Sequence, residues 1–448
     1  MRGGLQDSGQ SDREARPSST GGVWVAQQCR RLTSSRLFRD AGLYFGFKLT
    51  DRAVPLLLLP VVARALGAEQ YGTFVLFQSL AGLTLPLMTL SVDGSILLNY
   101  FKVSQRAFPA YFSSGYRMIL GSSAVVAVSA WLLRDWLGGV ADFPAQWIVL
   151  IVSYCFLQFH TRVALNLYQV RRQPVRYGIF SLSLTLLKNG GMLILVLGYD
   201  WGWEGVALGY TGAQAIMAAV GLVIFARGGL LQARVRRAFV RDNVRVGYPL
   251  SVHQMGAWGA SSATRVIVAG VLGSASAGSF GVGAAIAMLV MFMQDAFNKA
   301  YVPYLFDRLI KLTPAGDRQL VLLTYAYVAA LLSFSLAYGI AGALFVEPLF
   351  GIEFREAAVV VPLLSLAFGF QGAYKMHVNY IFFAKQTHLI LMITVTTGVA
   401  NILLSLALVR SHGLAGSAIS LLITNILGYL LAWYIGQKVY PMNWSLRR

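Results

Sequence analysis

Thirteen ionisable residues are scattered through stretches of this chain that are otherwise apolar. The basic ones are Lys48, Arg52, Arg117, Arg162, Lys188, Arg265 and Lys375; the acids are Asp51, Asp93 and Asp295; His160, His253 and His377 fall at similar depths. A charged group inside a bilayer is expensive and normally faces a cavity or a partner. Seven cations against three acids therefore predict a positively charged chamber that an anion visits. Arg binds phosphate oxygens in bidentate fashion and Lys binds them as a point charge. Lys48 and Arg52 are four residues apart and share one helical face. Arg162, Lys188, Arg265 and Lys375 lie deeper and have no acid close by in sequence. These six are the candidate substrate-binding residues.

Asp51, His160, His253, Asp295 and His377 are candidates for proton or ion coupling, the imidazoles because they titrate near neutrality. Each has a structural alternative. Asp51 can simply neutralise Lys48 or Arg52, Asp295 can pair with Lys299 four residues on, and a buried histidine can be hydrogen-bonded in a core. Arg117, near a helix start, is expected to snorkel to headgroups, and Asp93 to cap a helix or pair with a cation. Tyr44, Phe45, Phe47, Tyr154, Phe156, Phe159 and Tyr168 accompany these residues and could stack on sugar rings or merely pack.

The elements that must hold them are membrane helices. Hydrophobic residues make up 56% of the chain and charged ones 12%, with mean hydropathy +0.61, whereas a soluble domain is about a quarter charged. Only helices and closed barrels satisfy their backbone in lipid, and continuous rather than alternating apolar runs select helices. We place twelve, at about 41–65, 72–92, 112–133, 146–168, 177–198, 204–226, 248–271, 277–299, 319–344, 357–383, 388–409 and 414–436. The formal charge of +19 then belongs to loops, not to a nucleic-acid surface. With the N-terminus inside, 26 Lys/Arg fall on cytoplasmic segments and 4 on the other side, so both termini are expected in the cytoplasm of a bacterial inner-membrane protein. Cys29 and Cys155 form no metal pattern and no disulfide is expected; neither metal, cofactor nor catalytic residue is foreseen.

The chain also repeats itself. LGAEQYGTF from Leu66 and LGSASAGSF from Leu272 read as the same turn, and GVALGY at Gly205 matches GSAISL at Gly416. The offsets are 206 and 211 residues. A duplicated six-helix unit gives two lobes about a pseudo-twofold axis along the membrane normal, with a site between them. The expected division is a disordered cytoplasmic tail over 1–36, an N-lobe over 37–226, a basic cytoplasmic linker over 227–246 that includes Arg234, Arg236, Arg237 and Arg241, a C-lobe over 247–436, and a cytoplasmic tail over 437–448.

FKLTDRAVPLLLLPVVARALGAEQYGTF, YPLSVHQMGAWGASSATRVIVAGVLGSASAGSF and GLAGSAISLLITNILGYLLAW together resemble Wzx-type polysaccharide flippases of the MOP exporter superfamily, over about residues 37–436. The resemblance implies translocation of a polyprenyl-pyrophosphate oligosaccharide from the cytoplasmic to the outer leaflet by rocking of the lobes. In that reading the pyrophosphate and any acidic sugars sit against Lys48, Arg52, Arg162, Lys188, Arg265 and Lys375. Membrane lipid, a proton or sodium ion and a polysaccharide polymerase are the further partners it suggests. One departure is Thr264, where many relatives carry an acid before the arginine. A Walker A pattern is missing, so energy must come from an ion gradient or from removal of product. A multidrug cation antiporter of the same superfamily is the alternative, disfavoured by the basic excess. A membrane polymerase or glycosyltransferase would be expected to show a larger outer loop or an acidic motif.

Overall fold

The computed structural model describes residues 36–232, 235–310, 314–442 and 444. Cys29, Arg234 and the expected tail up to residue 35 lie outside this set. Every regular element in it is helical: α1 (Arg36–Thr89), α2 (Val92–Asn99), α3 (Phe108–Leu132), α4 (Arg134–Ala141), α5 (Ile148–Val170), α6 (Pro174–Leu193), α7 (Gly202–Arg227), α8 (Arg237–Ser261), α9 (Ala263–Leu272), α10 (Ser274–Ile310), α11 (Pro314–Leu344), α12 (Val346–Phe350), α13 (Ala357–Phe383) and α14 (Thr387–Val439). α6 runs on through a π-turn, Ile194–Gly198.

α1 has 54 residues and α14 has 53. At about 1.5 Å per residue either would be more than twice the ~30 Å of a hydrocarbon core. Each is two spans: Gly67 (φ 69°, ψ 174°) breaks α1, and Gly413 (φ 57°, ψ −140°) breaks α14. α2 continues the second span after a 57° bend, where Leu90 and Ser91 are left-handed, and α9 continues α8. The described residues thus form twelve spans. α13 has the expected bounds, but α10 runs eleven residues past its expected end at 299, to Ile310. α8 begins at Arg237, inside the segment expected to be a linker. Its polar residues find partners there: Asp242 accepts from Tyr111 (3.0 Å) and from Asn99 (3.3 Å) across the molecule.

The duplication is written in the backbone. Gly273, the equivalent of Gly67, has φ 89° and ψ 166°, and Gly413 repeats the left-handed φ of Gly202 (63°). Only glycine takes these angles without steric cost. The two halves meet at equivalent residues. A Cβ on Gly72 would fall 1.7 Å from the Ser274 carbonyl oxygen, and one on Gly278 2.1 Å from that of Ala68. Gly72 and Gly278 are repeat partners, as are Ala68 and Ser274, so one contact is made twice. Such reciprocity is the mark of a twofold axis, and here the axis passes between the glycines.

This junction lies on the side with few basic residues, and it is sealed. Glu353 accepts from the Ala68 backbone N–H (3.2 Å), Arg64 donates to the Pro348 carbonyl, and Ser274 donates to Asp142 (3.0 Å). Tyr71 packs edge-on against Phe354 at 6.0 Å. A buried apolar cluster drawn from both halves, including Leu66, Phe77, Val268 and Val346, backs the seal. On the basic side the halves are hydrogen-bonded along one flank. There Ser251 and Gln254 donate to the Ser91 hydroxyl (3.0 and 2.8 Å), and Trp258 Nε1 donates to the Ser79 carbonyl (2.7 Å). On the opposite flank a Cβ at Gly42 or Gly46 would meet nothing within 4 Å.

Candidate functional site

Between the halves lies a cavity of about 330 Å³. Its walls come from α1 (Asp51, Arg52, Tyr71), α6 (Asn189), α7 (Tyr210) and α10 (Phe292). The helix periodicity explains the set: Arg52, Pro55, Leu56 and Leu59 stand at i, i+3, i+4 and i+7 on one face of the first span. The Arg52 guanidinium lies 4.5 Å over the Phe292 ring, and so bridges the halves.

Three more cations stand near residues that line this cavity. Lys188 Nζ is 5.6 Å from the Tyr210 ring and 5.7 Å from that of Tyr154. Arg265 stands close enough to Tyr71 to act on it electrostatically, and its Nε is buried with no hydrogen-bond partner. Lys48 is near Arg52, Asp51 and Lys299. Among the described residues none of these four cations makes an ion pair. The one carboxylate present, Asp51, accepts from the Ser181 and Thr185 hydroxyls, the latter at 2.8 Å. Arg52 and Lys48 are exposed and Lys188 and Arg265 half-buried; one carboxylate, Asp51, stands against four cations, and cation–π contact returns only about 0.5–2 kcal/mol. The cavity wall is therefore a standing positive field that an anion would relieve.

The other predicted cations are elsewhere and are neutralised. Lys375 is bonded directly to Asp295, so Asp295 does not pair with Lys299 as its spacing suggested, and neither residue belongs to the central cavity. Arg162 lies 3.9 Å from Asp93. Sequence spacing could not show either pair, because each joins two different helices. The histidines divide similarly. His160 is held by Tyr116 (2.9 Å) and the Phe156 carbonyl (2.8 Å), inside a shell of aromatic rings. His377 is buried against Tyr429 and Trp444. His253 alone lines cavities, two of them within the second half. Most of the candidate stacking aromatics pack: Tyr44 on Tyr177 at 5.1 Å, Tyr168 on Phe180 at 6.1 Å, and Phe159 in the core. Tyr154 does stand beside a cavity cation. Tyr71, Tyr210 and Phe292, which line the cavity, had not been singled out, although Tyr71 and Tyr210 sit inside the repeated LGAEQYGTF and GVALGY motifs. Among the described residues no group of three His, Cys, Asp or Glu side chains could hold a metal.

The architecture is shared with solved transporters. An inward-facing multidrug resistance MATE family transporter of the MOP superfamily superposes with TM-score 0.67, at 14% identity, over 87% of this chain and 97% of its own. The lipid II flippase MurJ, in an inward closed conformation, gives TM-score 0.67 at 11% identity over 88% of this chain and 87% of its own. The chain shares the fold of these two transporters. By sequence it is similar to an uncharacterized membrane protein of Haemophilus influenzae, 24% identical over 281 residues. That match spans 61% of this chain and 66% of the relative, just under two thirds of its length. No family model matches the sequence. The central cavity of this chain is lined by the rings of Tyr71, Phe74, Tyr210 and Phe292, by Arg52 and by one carboxylate, Asp51, among apolar side chains.

Proposed function

We propose that the protein is a flippase for polyprenyl-pyrophosphate-linked oligosaccharide, carrying it from the cytoplasmic to the outer leaflet of the bacterial inner membrane. The observation that carries the reading is the central cavity, where Arg52, Lys188 and Arg265 stand without ion-pair partners around a space between the halves. A pyrophosphate supplies the missing negative charge in a form that Arg and Lys bind strongly. Phe292, Tyr154 and Tyr210 give the same wall flat apolar faces for sugar rings, and the polyprenyl tail stays in lipid at the open flank beside Gly42 and Gly46. The excess of Lys and Arg on one side orients that side, and both termini, toward the cytoplasm. The sealed junction around Gly72 and Gly278 is then the outer gate, and the cavity loads from the cytoplasm. Transport alternates as the two halves rock and the Glu353 and Arg64 contacts break.

A multidrug cation antiporter would share the fold. It needs a cavity that attracts cations, and this one repels them. The test is direct: in proteoliposomes carrying fluorescent polyprenyl-pyrophosphate oligosaccharide, the protein should expose the label to a membrane-impermeant quencher, and Arg265→Ala should not. Wild-type movement of a lipophilic cation without movement of the pyrophosphate lipid would reverse the assignment.

A further inference from the structure

The second half contains a cavity of its own, about 410 Å³, within the usual range for ligand sites. Four carboxamides line it: Asn298 from α10, Gln371 and Asn379 from α13, and Asn425 from α14. Asn379 Nδ2 donates to Asn298 Oδ1 at 2.8 Å, so each of that pair keeps a further donor and a further acceptor. Thr394, Thr397 and Thr424 spend their protons on carbonyls of their own helix (2.9, 2.9 and 2.6 Å), which leaves their oxygens as acceptors. The lining includes one charged residue, Lys375, already bonded to Asp295. So much hydrogen-bonding capacity inside membrane-spanning helices is unfavourable unless something uses it.

The lining narrows the ligand. An unpaired cation for an anion is missing from it, the nearby carboxylate is taken, and an apolar chain would desolvate the amides without repaying them. A molecule bearing many hydroxyls, each donor and acceptor at once, satisfies the wall, and the Tyr374 ring in the same lining offers a stacking face. An adjoining groove of about 460 Å³ shares His253, Phe382 and Ile390 with the cavity and reaches Thr387 and His388, at the basic-side start of α14. The route in is therefore from the same side that loads the central cavity.

We propose that this cavity is a subsite for uncharged sugar residues of the transported glycan. It rests on the flippase reading and adds a division of labour: the central cavity takes the pyrophosphate, and the second half reads the sugars. The experiment is native mass spectrometry of the lipids retained by protein purified from its host membrane, for wild type, Asn425→Leu, Gln371→Met and Arg265→Ala. Wild type should retain polyprenyl pyrophosphate bearing sugars. In Asn425→Leu and Gln371→Met the ratio of glycosylated to bare lipid should fall about tenfold, the worth of one good hydrogen bond, with total pyrophosphate lipid unchanged. Arg265→Ala should lose both forms. Gln371, half-buried like Asn425, is on a different helix, so its variant decides the matter if Asn425→Leu does not accumulate. An unchanged ratio overturns the subsite and leaves the flippase reading intact. A wild type that retains no polyprenyl pyrophosphate overturns both.

Discussion

The two halves share a backbone plan, but the cavity between them and the cavity within the second half treat positive charge in opposite ways. In the cavity between them Arg52, Lys188 and Arg265 lack ion-pair partners. In the cavity within the second half, Lys375 is matched by Asp295. The two chambers are of similar size, about 330 and 410 Å³, and only the one between the halves has cations nearby without carboxylate partners. The difference teaches that charge count along a helix says little until each cation's partner is known. It also separates two kinds of recognition, one by field and one by hydrogen-bond pattern.

Several substitutions would break or sharpen this contrast. The largest effect is expected from Arg265→Ala and Lys188→Ala. Each should lower surface polysaccharide by about 100-fold or more, the loss expected when a desolvated charge contact worth roughly 3 kcal/mol disappears. Protein level in the membrane, measured by immunoblot, should stay near wild type. Next comes Asn189→Asp, which places a carboxylate in the central cavity and imitates the second half. It should weaken binding of undecaprenyl pyrophosphate, measured by fluorescence quenching, by about tenfold, since partial neutralisation costs around 1.4 kcal/mol of attraction. Unaltered affinity would mean that the central cations do not act as a field.

Asp295→Asn does the converse and leaves Lys375 without its partner. The pair is partly exposed, at 29% and 23% of side-chain surface, so the loss should be about 1–2 kcal/mol, below the 3–5 of a fully buried pair. A lowered melting temperature in detergent would register it. The double variant Asp295→Leu/Lys375→Met should recover most of that loss. The smallest effect concerns the seal both chambers depend on. Glu353→Gln should weaken the bond to Ala68 by about 1 kcal/mol and raise labelling of a cysteine placed at Ala68 by an impermeant thiol reagent.

Much of the fold could be read in advance, for physical reasons. Lipid forces each span to be a continuous apolar helix, and the α13 bounds matched because Arg355 and Glu356 before it and Lys385 and Gln386 after it cut the apolar run off sharply. The turn at Gly67 and Gly273 was visible because the left-handed backbone demands glycine twice at the same offset. The start of α8 was missed: Arg237 to Arg245 looks like a solvated loop, but Asp242 bonds to Tyr111 and Asn99 and Phe239 packs on Tyr111, contacts made by distant parts of the chain. The site was less legible. Lys188 and Arg265 stood out as charges without local acids, and they stand beside the lining residues Tyr210 and Tyr71. Lys375 and Arg162 stood out equally, yet each meets a carboxylate contributed by another helix. Partners about 70 to 80 residues away leave no trace in local spacing, and neither do Tyr71 and Phe292, whose role depends on which helices face each other.

The glycine pair at the axis has a consequence for how this protein can change. Gly72 and Gly278 sit where the two backbones already touch, each against the carbonyl of the other's neighbour. A side chain added to either acts as a wedge, and trimming its twin cannot compensate, because the twin is already the smallest residue. Drift at this junction is therefore barred on both copies at once. A mutant that survives there should do so by holding the molecule splayed on its sealed side, trading the resting posture for the opposite one.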